Sequence, residues 1–149
     1  MLGKSSAFTR KKAVTWVVAA AAVIILVIIL RWVSAQGTDA STTEGREKFL
    51  NSLGWEIDVS TEEYRTVLIP EKFTGVLESY AKMQTEQGYE LQKYCGKSCG
   101  QYTYTVTNYP NCEDTVLVTL YVCGREVIAG DIHTTSLDGF MHGLKMKKP

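Results

Sequence analysis

Gln101–Cys123, QYTYTVTNYPNCEDTVLVTLYVC, is the stretch whose reading decides the fold. Tyr102, Tyr104 and Val106 alternate with Thr103, Thr105 and Thr107, and Tyr109-Pro110-Asn111 marks a turn. Val116, Val118, Leu120 and Val122 then repeat the alternation. A period of two sends successive side chains to opposite faces of a strand. A hairpin centred on Asn111 sets Tyr102 opposite Leu120, Tyr104 opposite Val118 and Val106 opposite Val116, so the two apolar faces coincide. Gly124-Arg125 suits a two-residue turn in which glycine supplies the positive φ, and it leads into a third strand, Val127–His133. There Ile128 and Ile132 point opposite to Val127 and Ala129, so the sheet is expected to carry apolar contacts on both faces.

Upstream, Ser41 and Glu44 have the spacing of a capping box at a helix start. The helix runs to about Leu53, with Phe49, Leu50 and Leu53 on one face and Gly54 as a left-handed stop. Trp55, Ile57 and Val59 alternate with polar residues as a half-buried strand. A second strand near Tyr64–Ile69 ends at Pro70, which cannot donate to a ladder. From about Glu71, Phe73, Val76, Leu77, Tyr80 and Met83 recur at helical spacing until Gly88. That stripe reads as core packing rather than as a pocket wall. Tyr89–Gly100 is irregular. The expected fold class is α+β, with two helices packed on one face of an antiparallel sheet that ends in a three-stranded meander.

Ahead of this domain stands Ala13–Leu30, a run with no charged residue. A bilayer's hydrocarbon core is about 30 Å thick, and roughly 20 apolar residues cross it as a helix. Ala13–Val33 meets that length, with Arg31 snorkelling to the interface and Trp16 and Trp32 near the two headgroup layers. Lys4, Arg10, Lys11 and Lys12 precede the run without an acid, which places the N-terminus in the cytoplasm and the C-terminal domain outside. Val33-Ser34-Ala35 offers small residues for cleavage after Ala35. The apolar run exceeds the usual signal core of about 7–15 residues, so an uncleaved anchor is expected. The organisation is then a basic tail (1–12), one N-terminal transmembrane helix (13–33), a polar linker (34–42) and an extracytoplasmic domain (43–149). The lipid bilayer is a partner through residues 13–33.

The chain is formally neutral, with 16 basic and 16 acidic residues, but five of the bases and none of the acids lie before residue 34. The outer domain therefore carries 11 bases against 16 acids, a poor match for nucleic acid, whose phosphates need basic patches. No nucleic-acid partner is expected.

Cys95, Cys99, Cys112 and Cys123 all fall outside the membrane on this reading, where disulfides persist. Four cysteines allow three pairings. The hairpin register puts Cys99 across from Cys123 on the threonine-rich face, which leaves Cys95 and Cys112 to pair if the loop folds back. Cys95-Gly96-Lys97-Ser98-Cys99 is also a thiol-exchange candidate, since Lys97 would lower a thiol pKa. Its CxxxC spacing is not the CxxC of thioredoxin-like proteins, and no βαβ frame surrounds it. Cys95 and Cys99 with His133 or His142 would make a loose zinc set. No metal and no cofactor are expected.

Asp131 and His133, two apart on a strand, share a face and have the chemistry of an acid–base pair. The plainer reading is a surface pair. Glu62-Glu63 and Glu113-Asp114 read as solvated carboxylates in loops or turns. Leu137–Leu144 reads as a chain end that docks Phe140 and Met141 on the sheet. No Gly-x-Ser-x-Gly elbow is present, and no catalytic residue is assigned.

Several short stretches share a pattern. They are Phe49-Leu50 with Gly54-Trp55-Glu56, Ile69-Pro70, and Gly88-Tyr89 leading to Tyr94-Cys95-Gly96-Lys97. Tyr102-Thr103-Tyr104, Val106-Thr107-Asn108-Tyr109-Pro110 and Leu137–Leu144 complete it. Together they resemble the domain of unknown function 4830 family, membrane-anchored domains of Gram-positive bacteria. The resemblance extends over most of residues 44–144. It implies a bacterial cell-surface setting and carries no activity. The four cysteines stand outside its pattern, which favours stapling over shared chemistry. The functional expectation is a binding or interaction module at the outer membrane surface, with a membrane or cell-surface protein as partner. Its contact face would carry Thr103, Thr105, Thr119 and Tyr121. A thiol-redox or metal-dependent enzyme using Cys95 and Cys99 is the alternative.

Overall fold

The computed structural model describes residues 38–145. The expected tail, the transmembrane helix over 13–33 and the first part of the linker lie outside the described residues. Among the described residues no helix is long and apolar enough to cross a membrane. The elements run α1 (Thr43–Ser52), β1 (Ile57–Leu68), α2 (Val76–Glu86), a 3-10 turn (Leu91–Tyr94), β2 (Ser98–Val106), β3 (Val116–Cys123), β4 (Glu126–Thr134) and β5 (Met141–Gly143). The fold is α+β, two helices on a five-stranded antiparallel sheet in which each strand pairs with its neighbour in the chain.

The central hairpin has the register that alternation dictates, with Tyr102 across from Leu120 and Tyr104 across from Val118. Asn111 takes a positive φ of 53° in the connection. Gly124, at φ 66°, turns β3 into β4, so that Cys123 faces Glu126. The conflict among Ile128, Ile132 and their neighbours is settled by a bulge. Val122 pairs with Val127 and Tyr121 with Ala129, leaving Ile128 as the extra residue. An extra residue reverses the alternation beyond it. Val127 and Ile132 thus join one core, with Trp55, Tyr104, Val118 and Leu120, while Ile128 and Ala129 join a second with Ile69, Leu91 and Cys99.

Two cores mean two covered faces, and the helices divide between them. Leu50 of α1 packs with Tyr104 and Val118. Tyr80 of α2 packs on the other face, edge-on to Tyr121. The expectation of both helices on one face is therefore corrected; each face bears apolar residues and each takes a helix. Other expectations shift by a few residues. The cap of α1 is Thr42, whose hydroxyl accepts from Gly45 N–H at 3.0 Å, while Ser41 turns back onto Asp39. Ala40 is fully buried and donates its N–H to Arg125 O, so the end of the expected linker belongs to the domain. The two expected N-terminal strands are one, β1, interrupted where Val59–Glu62 stand against Tyr104 alone. The helix expected from Glu71 starts at Val76, after Gly75 at φ 60°.

That interruption of β1 carries Glu62 to Arg46 and Tyr104. Arg46 is 2% exposed, donates from Nε to Tyr104 Oη at 2.6 Å, and pairs with Glu62 Oε2 at 2.9 Å. Its plane also lies 3.6 Å over the Tyr102 ring. Glu62 is thus not the solvated carboxylate expected. At the other edge, β5 stops at Gly143, opposite Asp131. Beyond it, α2 and its C-cap residue Gln87 complete the hydrogen bonding of this edge. Gln84 Oε1 accepts from Gly130 N–H at 3.0 Å, Gln87 Nε2 donates to Gly130 O at 3.0 Å, and Gln87 Oε1 accepts from Leu144 N–H.

Candidate functional site

Strand alternation sets Glu63, Thr103, Thr119, Asp131 and Gly143 in one row across all five strands. Arg65, Gln101 and Tyr121 stand in the row to one side, and Leu117, His133 and Met141 in the row to the other. All these side chains leave the sheet on the face that α2 covers only in part. The result is a cleft of about 760 Å³, floored by Thr103, Thr119, Tyr121, Asp131 and His133 and walled by Val76, Leu77, Tyr80 and Met83 of α2. The helical stripe expected to be core packing is so in part: Phe73 and Tyr80 pack on the second core, whereas Val76, 85% exposed, and Leu77, 47% exposed, stand along the cleft.

Asp131 is the polar centre. It is 2% exposed, and both carboxylate oxygens are used. Tyr80 Oη donates to Oδ2 at 2.8 Å, and His133 Nδ1 lies 2.8 Å from Oδ1. A carboxylate only accepts, so the network assigns the proton to His133 Nδ1 and leaves Nε2 as the free ring nitrogen. Burial first, and the Asp131 charge second, push the Tyr80 hydroxyl well above the ordinary tyrosine range, which fixes it as the donor. Tyr121 is raised by the same two causes in the same order. A carboxylate that orients an imidazole prepares a hydrogen-bond acceptor or a base at Nε2. Among the described residues no hydroxyl or thiol is hydrogen-bonded to that nitrogen. Asp131 and His133 are thus brought together as chemistry requires, in a buried network rather than as the surface pair expected.

Thr103, Thr119 and Tyr121 all line the cleft, and the two threonine hydroxyls bond each other at 3.0 Å. Thr105 does not line it; its N–H is taken by Thr61 Oγ1 at 2.9 Å beside the β1 interruption.

The four cysteines carry free thiols. Cys99 precedes Gly100, which pairs with Val122, so Cys123 stands beside it across the hairpin. Burial first, then the adjacent Cys123 thiol, push the Cys99 thiol up to about 12. It is a protonated, poorly nucleophilic thiol at neutral pH. Cys95 closes the 3-10 turn ahead of β2, and Cys112 lies beyond the far end of that strand. Nine residues of β2 at about 3.3 Å each separate them by roughly 30 Å, against the 7 Å or so that a disulfide tolerates. The Cys95–Cys112 pairing is corrected on that ground.

His142 belongs to an aromatic stack with Trp55, Tyr109 and Phe140, its Nε2 3.0 Å from Tyr109 Oη. Among the described residues no three His, Cys, Asp or Glu side chains gather as a metal-ligand set. Compared with protein-family models, with curated proteins and with solved structures, the chain finds no match in any of the three.

Proposed function

We propose that the chain is a binding module held at the outer surface of a membrane by residues 13–33, with the cleft between α2 and the sheet as its ligand site. One observation carries the reading: a cleft of about 760 Å³ converges on an oriented imidazole, and Val76 and Leu77 stand exposed along its wall. Ligand sites combine concave apolar walls with a few fixed polar groups. The basic residues before the apolar run support the orientation, and the resemblance to membrane-anchored domains of Gram-positive bacteria supports the cell-surface setting. The thiol-exchange alternative is the weaker one, because Cys99 is buried and its thiol is pushed up to about 12 by burial and by Cys123.

A photocrosslinking amino acid at Thr103, in the cleft, is compared with one at Lys48 on exposed α1 surface, in intact cells expressing the full chain. The expected result is an adduct at position 103 that Leu77→Arg abolishes and position 48 does not give. Equal labelling at both positions overturns the cleft as the site.

A further inference from the structure

The cleft does not end at its floor. A second cavity of about 200 Å³ adjoins it, sharing the Leu77, Tyr80 and Tyr121 walls and closed by Val67, Phe73 and Leu91. Apart from the Tyr80 and Tyr121 hydroxyls, its walls are hydrocarbon or aromatic. The polar groups, His133 and the threonine pair, line the cleft and not the adjoining cavity. A ligand filling both spaces is polar at one end and apolar at the other.

The charges select the polar end. Asp131 puts a buried negative charge beneath the floor, with both oxygens already bonded. Arg65, the cation that lines the cleft, lies 3.6 Å from Glu63 at its exposed rim, away from the buried Asp131 charge. A carboxylate or phosphate head seated at His133 would lie over the buried Asp131 charge and would have to compete with Glu63 for Arg65. A hydroxyl fits: it donates to His133 Nε2, and it accepts from the threonine pair, whose mutual bond uses one of two hydroxyl protons.

We infer that the cleft takes a neutral amphiphile, with a hydroxylated head at His133 and Thr103 and an unbranched apolar tail in the adjoining cavity. This rests on the cleft being the ligand site. The tail covers Leu77 and Tyr121, and so shields from water a leucine that is 47% exposed.

The test uses the full chain in lipid nanodiscs with carbon-13 methionine methyls. Met83 and Met141 line the cleft. The probes are 1,2-alkanediols of six, seven and eight carbons, octanoate, octylammonium and glycerol. The diols are expected to shift Met83 and Met141 saturably, with affinity rising about fourfold per added methylene, the ratio expected for burying one CH₂ group. Glycerol, octanoate and octylammonium bind at least tenfold more weakly than the eight-carbon diol. His133→Leu weakens every diol about tenfold and leaves the chain-length ratio unchanged, whereas Leu77→Asp flattens that ratio. Equal binding of octanoate or octylammonium, or a flat chain-length series in the parent chain, overturns the neutral amphiphile. If no diol moves the two methyls while the position-103 adduct persists, the amphiphile falls and the cleft stands; loss of both discards both.

Discussion

Arg46 Nη2 lies 2.9 Å from Glu62 Oε2, although α1 and the interruption in β1 that supply them are separate elements with no regular pairing between them. Arg46 is 2% exposed, so its charge has little recourse to water if the carboxylate is removed. Breaking a buried pair costs about 3 kcal/mol or more, whereas replacing both partners with apolar groups is often close to neutral. Glu62→Ala is expected to lower unfolding stability by about 3 kcal/mol in urea. Arg46→Met combined with Glu62→Met recovers most of that loss. A double variant no better than the single would show that the pair itself, rather than the orphaned charge, sets the stability.

Acid sensitivity follows from the same carboxyl. Burial raises the Glu62 pKa, but hydrogen bonds from Tyr104 and Arg46 outweigh it and hold the group below the ordinary glutamate range. A carboxyl lowered on folding stabilises above its unfolded pKa, and that contribution is lost as pH falls toward the folded value. Urea midpoints are therefore expected to drop between pH 5 and pH 3 and to drop less in Glu62→Gln. Identical acid limbs would remove Glu62 from the account.

The alkaline limb has the opposite sign. Cys99, raised by burial and by Cys123 from 9.0 to about 12, keeps its proton when folded and loses it more readily when unfolded. Stability from this group is complete below pH 9 and is lost as pH rises toward 12. Reduced protein is expected to weaken over that range, and Cys99→Val to weaken less. Thiol ultraviolet absorbance follows the titration directly.

On oxidation, Cys99 and Cys123 are expected to join, since their strands already hold them side by side. Such a bridge adds about 3 kcal/mol if it closes without strain. Peptide mapping with intact mass checks it, and a Cys95–Cys112 peptide would contradict the placement of those residues at opposite ends of β2.

Gln84 is fully buried on α2, where it accepts the Gly130 N–H. Gln84→Met keeps the volume and removes the acceptor; orphaning the Gly130 N–H costs about 2 kcal/mol, offset in part because the Gln84 Nε2 that leaves is buried without a hydrogen-bond partner, so a net loss of about 1 kcal/mol is expected. Hydrogen exchange at the Gly130 amide should quicken in the variant. An unchanged exchange rate would mean that another group satisfies that amide.

The hairpin register was legible because period-two alternation across Tyr102–Val122 admits one pairing with coincident apolar faces. Gly54, Gly88 and Gly124 were legible as punctuation, and each takes a positive φ. The cleft was legible in part. Thr103, Thr119 and Tyr121 share a face by alternation alone, but nothing local says that α2 rises beside them. Asp131 looked like a surface residue because a charge within an apolar strand carries no mark of burial; its partner Tyr80 is 51 residues away. Arg46, Gln84 and Gln87 occupy helical positions that normally face water, and their roles depend on which backbone they meet. The bulge at Ile128 left one trace, the opposition of Ile128 and Ile132 to Val127 and Ala129; both faces of the sheet are apolar as that implied, and the extra residue sends Ile128 and Ile132 to different ones.

Because every strand pairs with its predecessor, the sheet can be assembled in the order in which the chain is synthesised, the longest closure being that from β1 to β2 across α2. One residue near the end of the ladder makes the longest bridge. Leu144 supplies its carbonyl to Trp55 Nε1 and its N–H to Gln87. A nascent chain that has reached Thr134 can already pair β1 through β4, yet its first core remains open at Trp55 and β4 lacks its final partner. Completion waits for Leu144 to emerge, so chains stalled or truncated before it should be disproportionately vulnerable to proteolysis.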